Sequence, residues 1–407
     1  MAREKVVEHY DVVIIGGGPA GLSAAIYSGR ARLKTLLLEK ALVGGLATYT
    51  NEIANYPGFP DAPKGEAITN LMKEQAKLMG VDFKLTAVSN VTLKGEEKVV
   101  ETFRNKYIAK VVIIATGGRP RTTGAENEQE FLFDKGISFC ATCDAAANTG
   151  KHVVVIGSGD AAIEEGMFLT KFASQVTVSV MHDEGIMDCN EIAKEAALSN
   201  PKMKFVWNSV VKRFEGNEHL ERVVLRNIKT EEEISLESDS CFEFIGYLPN
   251  SELFEEQLPL TRHKYITVNE KKETGIEGVF AIGDVTDKWL KQIATAVGDG
   301  AIAGTAAEKY IAEKEIFDHK IMQTEKPGLI YVYNAIDAAS RDFLMNIEAI
   351  ETSKAGSIAV NRIDTYKSNG LALKLELEKV PAVVITKDGK ITDKIYDLDQ
   401  ALIASKL

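Results

Sequence analysis

Two cysteines separated by two residues and followed at once by an acid, Cys140-Ala141-Thr142-Cys143-Asp144, are the part of this sequence best equipped for chemistry. Thiols at that spacing can close a small disulfide ring, and a neighbouring carboxylic acid can protonate the thiolate that leaves when a partner disulfide is cleaved. The competing use of such a pair is zinc, which needs two further ligands. The other cysteines, Cys189 and Cys241, stand alone, with no Cys or His beside them at knuckle spacing. No metal is expected.

A redox pair needs a source of electrons, and two glycine-rich turns are candidates for holding one. Tyr10–Ile15 reads as a buried parallel strand, Gly16-Gly17-Gly18-Pro19-Ala20-Gly21 as the turn, and the apolar stretch to Ala31 as a helix. A second strand, Thr35–Leu38, ends in Glu39 and is followed by Lys40. In such a βαβ unit Gly16 makes the tight turn, Gly18 lets the backbone approach a pyrophosphate and Gly21 allows close helix packing. Glu39, eighteen residues after Gly21, is placed to accept from ribose hydroxyls. The second unit runs from the strand His152–Ile156 through Gly157-Ser158-Gly159-Asp160-Ala161-Ala162 and a helix to Phe172, then a strand from Gln175 to Val180. Gly157, Gly159 and Ala162 keep the turn intact. Its far end differs, because Val180 stands where a ribose acid belongs, and Asp183 and Glu184 follow where arginines would hold a 2′-phosphate.

Two further apolar strands end in turns of their own. Val111–Ile114 leads into Ala115-Thr116-Gly117-Gly118, and Gly278–Ile282 leads into Gly283-Asp284, an acid at a strand's carboxyl end where open α/β sheets bind ligands.

Composition sets the frame. The chain has 407 residues, enough for two to four domains, with 45% hydrophobic and 26% charged residues, as in ordinary globular proteins. A formal charge of -11 and the lack of a basic stripe exclude a nucleic-acid footprint. No apolar run is long enough for a membrane span, and no leader pattern opens the chain. Four cysteines are too few for a disulfide framework, and a cytoplasmic protein with a catalytic pair is expected.

Taken in order, these motifs resemble the low-molecular-weight thioredoxin reductases over about residues 10–315. Asn55-Tyr56-Pro57-Gly58-Phe59 and Gly246-Tyr247-Leu248-Pro249-Asn250 are similar to family segments that a generic dinucleotide-binding protein lacks. The resemblance implies FAD held by Gly16, Gly18, Pro19, Ala20, Gly21, Glu39, Lys40, Gly45, Leu46, Asn55, Ala115, Thr116, Gly117, Gly283 and Asp284. Lys291-Gln292-Ile293 stands where the family has Arg-Gln-Ala near the flavin ring. It also implies a redox disulfide of Cys140 and Cys143 with Asp144 as the acid, Cys143 facing the flavin and Cys140 attacking the substrate. The implied fold is α/β, with an FAD domain at 1–119 and 249–320 and an inserted NAD(P)-type domain at 120–248, joined by connections near Gly117-Gly118 and Gly246 that let the insert rotate. A homodimer and a thioredoxin or thioredoxin-like partner are implied as well.

The chain departs from the family in three places. The basic signature for the NADPH phosphate aligns with Val180–Ile186, which has no arginine, so NAD(P)H is only weakly supported and reduced ferredoxin becomes a candidate donor. Gly44-Gly45-Leu46 replaces the family's Gly-Gly-Gln. Finally, after a helix Ala301–Lys314 and a linker Lys320–Lys326, a new pattern begins: strand 329–333, helix 340–351, strand 357–363, short helix 371–377, and a hairpin of 380–385 with 394–396 across Lys387-Asp388-Gly389-Lys390. This order resembles a thioredoxin fold over 326–407, with Val380-Pro381 at its cis-proline turn. The active-site position reads Asp337-Ala338-Ala339-Ser340, so the domain has no thiol for exchange and is read either as a docking or dimerisation module or as a fused domain kept for packing alone. Two functions stay open at this point: a disulfide reductase, and a non-catalytic redox-sensing flavoprotein that binds partners through its tail.

Overall fold

The computed structural model describes residues 5–50, 53, 55–132, 135–366, 372 and 374–407, which divide into two compact units, 1–304 and 305–407.

In the first unit the apolar runs become strands buried on both faces, as parallel strands covered by helices must be. Val12, Val13 and Ile14 and the whole run Val111–Ile114 have no exposed surface. The first sheet has seven strands, in the order Asp82–Leu85, Thr35–Glu39, Val6–Ile15, Asn105–Ile114, Lys98–Thr102 and Val88–Thr92, with Val279–Ala281 joined to Asn105–Ile114. Asn105–Ile114 is shared. Its first half pairs antiparallel with Lys98–Thr102, and its last three residues pair in parallel with Val279–Ala281. A strand from late in the chain thereby delivers Asp284 to the same sheet end as the Gly16 turn.

The second sheet is wholly parallel, in the order Met203–Val206, Gln175–Ser179, His152–Ile156, Ser240–Glu243, Ile137–Ser138. A three-stranded antiparallel sheet, Ser209–Gly216, Leu220–Asn227 and Glu233–Glu237, accompanies it. Between the seven-stranded and the five-stranded sheets the chain crosses twice, through Gly118–Pro120 and Tyr247–Pro249, and these strands pair with each other. The Arg121 amide donates to the Gly246 carbonyl (2.9 Å) and the Asn250 amide to the Gly117 carbonyl (3.0 Å), extending that ladder at both ends.

The helix Ile293–Glu315 packs on the nucleotide-turn helix Pro19–Arg30 at backbone distance. A Cβ on Gly300 would lie 2.3 Å from the Ala20 carbonyl oxygen, and one on Gly304 would lie 2.6 Å from the Tyr27 Cβ. The helix runs longer than Ala301–Lys314 and passes into a π-helical turn over Ile316–Met322, where the sequence suggests a linker.

The second unit holds a four-stranded sheet in the order Ala359–Asp364, Gly328–Tyr333, Ala382–Lys387, Lys390–Ile395; the first pair is parallel, the others antiparallel. The Val380-Pro381 peptide is cis. The helix expected at 340–351 is two helices, Ala338–Asp342 and Leu344–Ser353, and most of the one expected at 371–377 lies outside the described residues or in turns. The hairpin turns where the sequence places it, across Lys387-Asp388-Gly389-Lys390. Lys387 pairs directly with Lys390, because Asp388 and Gly389 both take positive φ.

Candidate functional site

The first glycine turn opens into a cleft of about 440 Å³ at the carboxyl end of the seven-stranded sheet. Gly16 (φ +112°) and Gly21 admit no side chain, since their Cβ atoms would fall 2.2 Å from the Ala115 oxygen and 2.0 Å from the Gly16 oxygen. Gly18 differs, because its missing Cβ faces open space. The helix beginning at Pro19 has neither a side-chain cap nor an acid in its first turn, which leaves its amide end available to an anion. Glu39 lines the cleft, with one carboxylate oxygen accepting from the Gly17 amide (2.7 Å) and the other from the Ala41 amide (2.9 Å). Asp284 enters from the opposite strand, and its buried Oδ1 meets no hydrogen-bond partner in the protein. Burial raises the Asp284 pKa, Lys288 and Lys291 pull it back, and Asp299 raises it further.

Of the residues assigned to FAD, Gly16, Gly18, Glu39, Lys40, Gly45, Leu46, Ala115, Thr116, Gly117 and Asp284 line this one cleft. Pro19, Ala20 and Gly21 form the start of the helix behind it. Gly283 (φ +70°) turns the chain into Asp284. Asn55 and Gln292 lie off the cleft lining and bond to each other across 237 residues of sequence (3.0 Å). Lys291 is half-buried over the Tyr265 ring, its pKa lowered by burial, and Ile293 begins the following helix. Sequence reasoning missed Tyr49, Thr86, Ala87, Val88, Arg119 and Glu252, which also line the cleft. Arg119 bonds Glu252 (2.7 Å) and Asn250 (2.6 Å), so the crossing strands close one wall.

The second turn borders a cavity of about 560 Å³ containing Gly157 and Gly159, with Ala162 packed beneath the turn. Here the helix amide end is guarded by acids. Asp160 occupies the first turn, and its Oδ1 accepts from both the backbone and the side-chain nitrogens of Asn190 (2.7 and 2.8 Å). Asp188 folds back over the turn: its amide donates to the Ser158 carbonyl, and its Oδ2 accepts from the Ser158 hydroxyl (3.0 Å) and faces the His182 Nε2 (2.9 Å). The His182 contact, against some burial, holds the Asp188 carboxyl below its ordinary pKa, so it is ionised at neutrality. Val180 is fully buried. Asp183, one of the acids expected to repel a phosphate, turns instead to Lys229, and the acids that line the cavity are Asp160 and Asp188.

Cys140 and Cys143 are joined in a disulfide at the start of the short helix Ala141–Asp144. Ser138, last residue of its strand, organises this turn. Its hydroxyl accepts from the Cys140 amide (3.1 Å) and donates to the Asp144 carboxylate. The carboxylate of the residue after Cys143 is thereby held to the strand end that carries Ser138. Cys189 and Cys241 are buried free thiols, and burial raises both pKa values, so neither is poised to compete. No group of acids, histidines and cysteines among the described residues could hold a metal ion, and no helix among them is long and apolar enough to cross a membrane.

The sequence profile of the pyridine nucleotide-disulphide oxidoreductases matches residues 10–300. The chain belongs to that family. Among its relatives, the thioredoxin reductase of Peptoclostridium acidaminophilum is 42% identical over 308 residues, covering 74% of this chain and 97% of the relative. That of Bacillus subtilis is 41% identical over 314 residues, covering 77% and 97%. The structure of thioredoxin reductase from Streptococcus pyogenes superposes with a TM-score of 0.70 at 36% identity, covering 75% of this chain and 98% of that one.

As a pyridine nucleotide-disulphide oxidoreductase the protein is an FAD-dependent disulfide oxidoreductase, a flavoprotein. The first cleft fits that cofactor on its own evidence: an uncapped helix end, a glycine with room in front of it, and a buried carboxylate oxygen without a partner. The family profile stops at residue 300, so the second unit lies beyond it.

Proposed function

We propose that the protein is a thioredoxin reductase-like enzyme that passes electrons through the Cys140–Cys143 disulfide to a thioredoxin or thioredoxin-like protein disulfide. The observation that carries this reading is the disulfide itself, closed beside an acid held in place by Ser138. FAD held in the first cleft would, once reduced by the donor, supply two electrons to it. On reduction the S–S bond opens to a thiolate and a thiol. By family resemblance Cys140 then attacks the partner disulfide, Asp144 protonates the departing partner thiolate, and Cys143 displaces the second partner sulfur to close the ring again. In this reading residues 1–119 and 249–320 bind FAD, 120–248 form an NAD(P)-type insert carrying the disulfide, and 326–407 form a thioredoxin-like docking or dimerisation module. The protein is a cytoplasmic homodimer.

NADPH is not the preferred donor in this proposal. The family's name specifies a pyridine nucleotide, yet Asp160 and Asp188 stand where its pyrophosphate would meet the helix end, and no arginine lines the cavity. NADH or reduced ferredoxin is the proposed donor, ahead of NADPH. Anaerobic mixing of the oxidised enzyme with reduced ferredoxin, NADH and NADPH in turn, following flavin bleaching, tests the donor; fast bleaching by micromolar NADPH overturns it. The relay is tested by serine at Cys140 or Cys143, which should leave the protein yellow and abolish turnover of a protein disulfide. A sensing flavoprotein that performs no turnover is not favoured by the relatives, whose names describe reductases.

A further inference from the structure

Asp299 has no part in the motifs above, yet it is among the most heavily paired side chains in the first unit. It is buried, 6% exposed, on the helix Ile293–Glu315. One carboxylate oxygen accepts from Lys272 (2.8 Å), and the other from Lys288 (2.6 Å) and from the backbone amide of Gly283 (3.0 Å). Burial opposes its ionisation, but the two lysines and the Gly283 amide outweigh that and hold the carboxyl below its ordinary pKa.

Two of its partners, Gly283 and Lys288, also bear on Asp284. Gly283 is the turn residue that aims Asp284 into the flavin cleft, and it has no slack, since a Cβ there would lie 2.9 Å from the Cβ of Ala20. Lys288 interacts with the Asp284 carboxylate as well as with Asp299. Asp284 therefore needs two things to keep its buried oxygen unpaired and facing the cleft: a fixed backbone, and a nearby ammonium group engaged elsewhere. Asp299 supplies both. A charged donor within reach of two carboxylates goes to the one offering the better desolvated geometry, and the fixed, buried Asp299 wins that competition.

We infer that Asp299 is a positioning residue for FAD: by pinning the Gly283 amide and sequestering Lys288, it keeps the Asp284 carboxylate available to the cofactor. The inference rests on flavin occupying the first cleft. In D299N the amide can still accept from Gly283, but the charge that retains Lys288 is gone, and Lys288 turns to Asp284.

The test measures FAD affinity of the full-length apoprotein by quenching of flavin fluorescence, with the melting temperature of each apoprotein recorded beside it. D299N should bind FAD at least about tenfold more weakly than wild type, and K288Q/D299N should return to within about threefold, because the one lysine that Asp299 shares with Asp284 is gone. Rescue by removing a second charge is what a purely structural role would not give. Wild-type affinity in D299N, or a double variant as weak as D299N, overturns the inference. Should D299N fail to fold, the double variant is compared directly with wild type, and a tenfold loss there overturns it. D284N separates the underlying reading: if it binds FAD as wild type does, the flavin is not against Asp284, whatever Asp299 does.

Discussion

The two glycine turns of the first unit are nearly the same object built twice. Each follows a buried parallel strand, begins with a glycine at positive φ (Gly16 +112°, Gly157 +123°) and carries a middle glycine, Gly18 or Gly159, with open space before it. They differ in what meets the helix end. The first turn of the Pro19 helix carries no acid, and Glu39 is occupied by the Gly17 and Ala41 amides at the ribose side. At the second, Asp160 is built into the helix and Asp188 is brought back over it by a loop clasped to Ser158. Backbone shape is thus common to both turns, while acids stand at the helix end of only the second. A fold can preserve the outline of a site after a few side chains have changed its ligand.

A matched pair of substitutions would break or sharpen that contrast most strongly. Alanine at Gly18 or at Gly159 meets nothing in the protein within 4 Å, so neither change strains the fold. Gly18→Ala should weaken FAD binding by about tenfold or more by intruding where the pyrophosphate approaches, whereas Gly159→Ala should leave FAD binding and ferredoxin-driven turnover unchanged. Equal losses of turnover in the two variants would show that the second turn carries a working nucleotide.

A smaller effect is expected from unmasking the second turn. Replacing Asp160 and Asp188 together by alanine removes like charge from the phosphate position, and the Kd for NADH by isothermal titration should fall by about tenfold. No change would mean that the buried Val180, not the acids, limits the site.

The smallest effect concerns the sheet beneath that turn. Glu243 and Glu128 are both 2% exposed, and burial with Glu128 nearby pushes the Glu243 pKa up to about 9, against 4.5 when unfolded. Over that interval the folded protein keeps a proton that the unfolded chain has lost, so stability falls as pH rises and levels off above about 9. E243Q should abolish this loss: its melting temperature should exceed wild type by roughly 2–4 °C per kcal/mol recovered at pH 8.5 and match it near pH 4.5. Parallel pH profiles for the two proteins would reject a proton held at Glu243.

Much of this was legible because local chemistry and local structure coincide. Strands such as Val111–Ile114 read as uninterrupted apolar runs because both faces are covered, and two thiols three residues apart are within bonding reach on any turn. What escaped notice depends on distant residues meeting. Asp188 reads as one more acid in a polar loop until its amide is seen on the Ser158 carbonyl, and Asn55 and Gln292 share no local signal. Thr86–Val88 enter the flavin cleft only because the Asp82–Leu85 strand pairs with Thr35–Glu39. In the second unit the Asp388-Gly389 turn was legible from its residue types, but the single expected helix is broken near Phe343. That break is set by backbone conformation at one residue, below what apolar periodicity can resolve.

The close crossing of Gly300 and Gly304 on the Ala20–Tyr27 face has a consequence for how the protein is made. A ribosome releases the Gly16 turn first, but the strand Val279–Ala281, Asp284 and the covering helix are synthesised last in that unit. At ~5–20 residues per second, roughly 15–60 s of translation separate the two halves of the flavin cradle. Through that interval the nascent chain exposes an unfinished sheet edge at Val112–Ile114, a surface for chaperones to shield, and flavin loading must wait until the chain past Gly304 has left the exit tunnel.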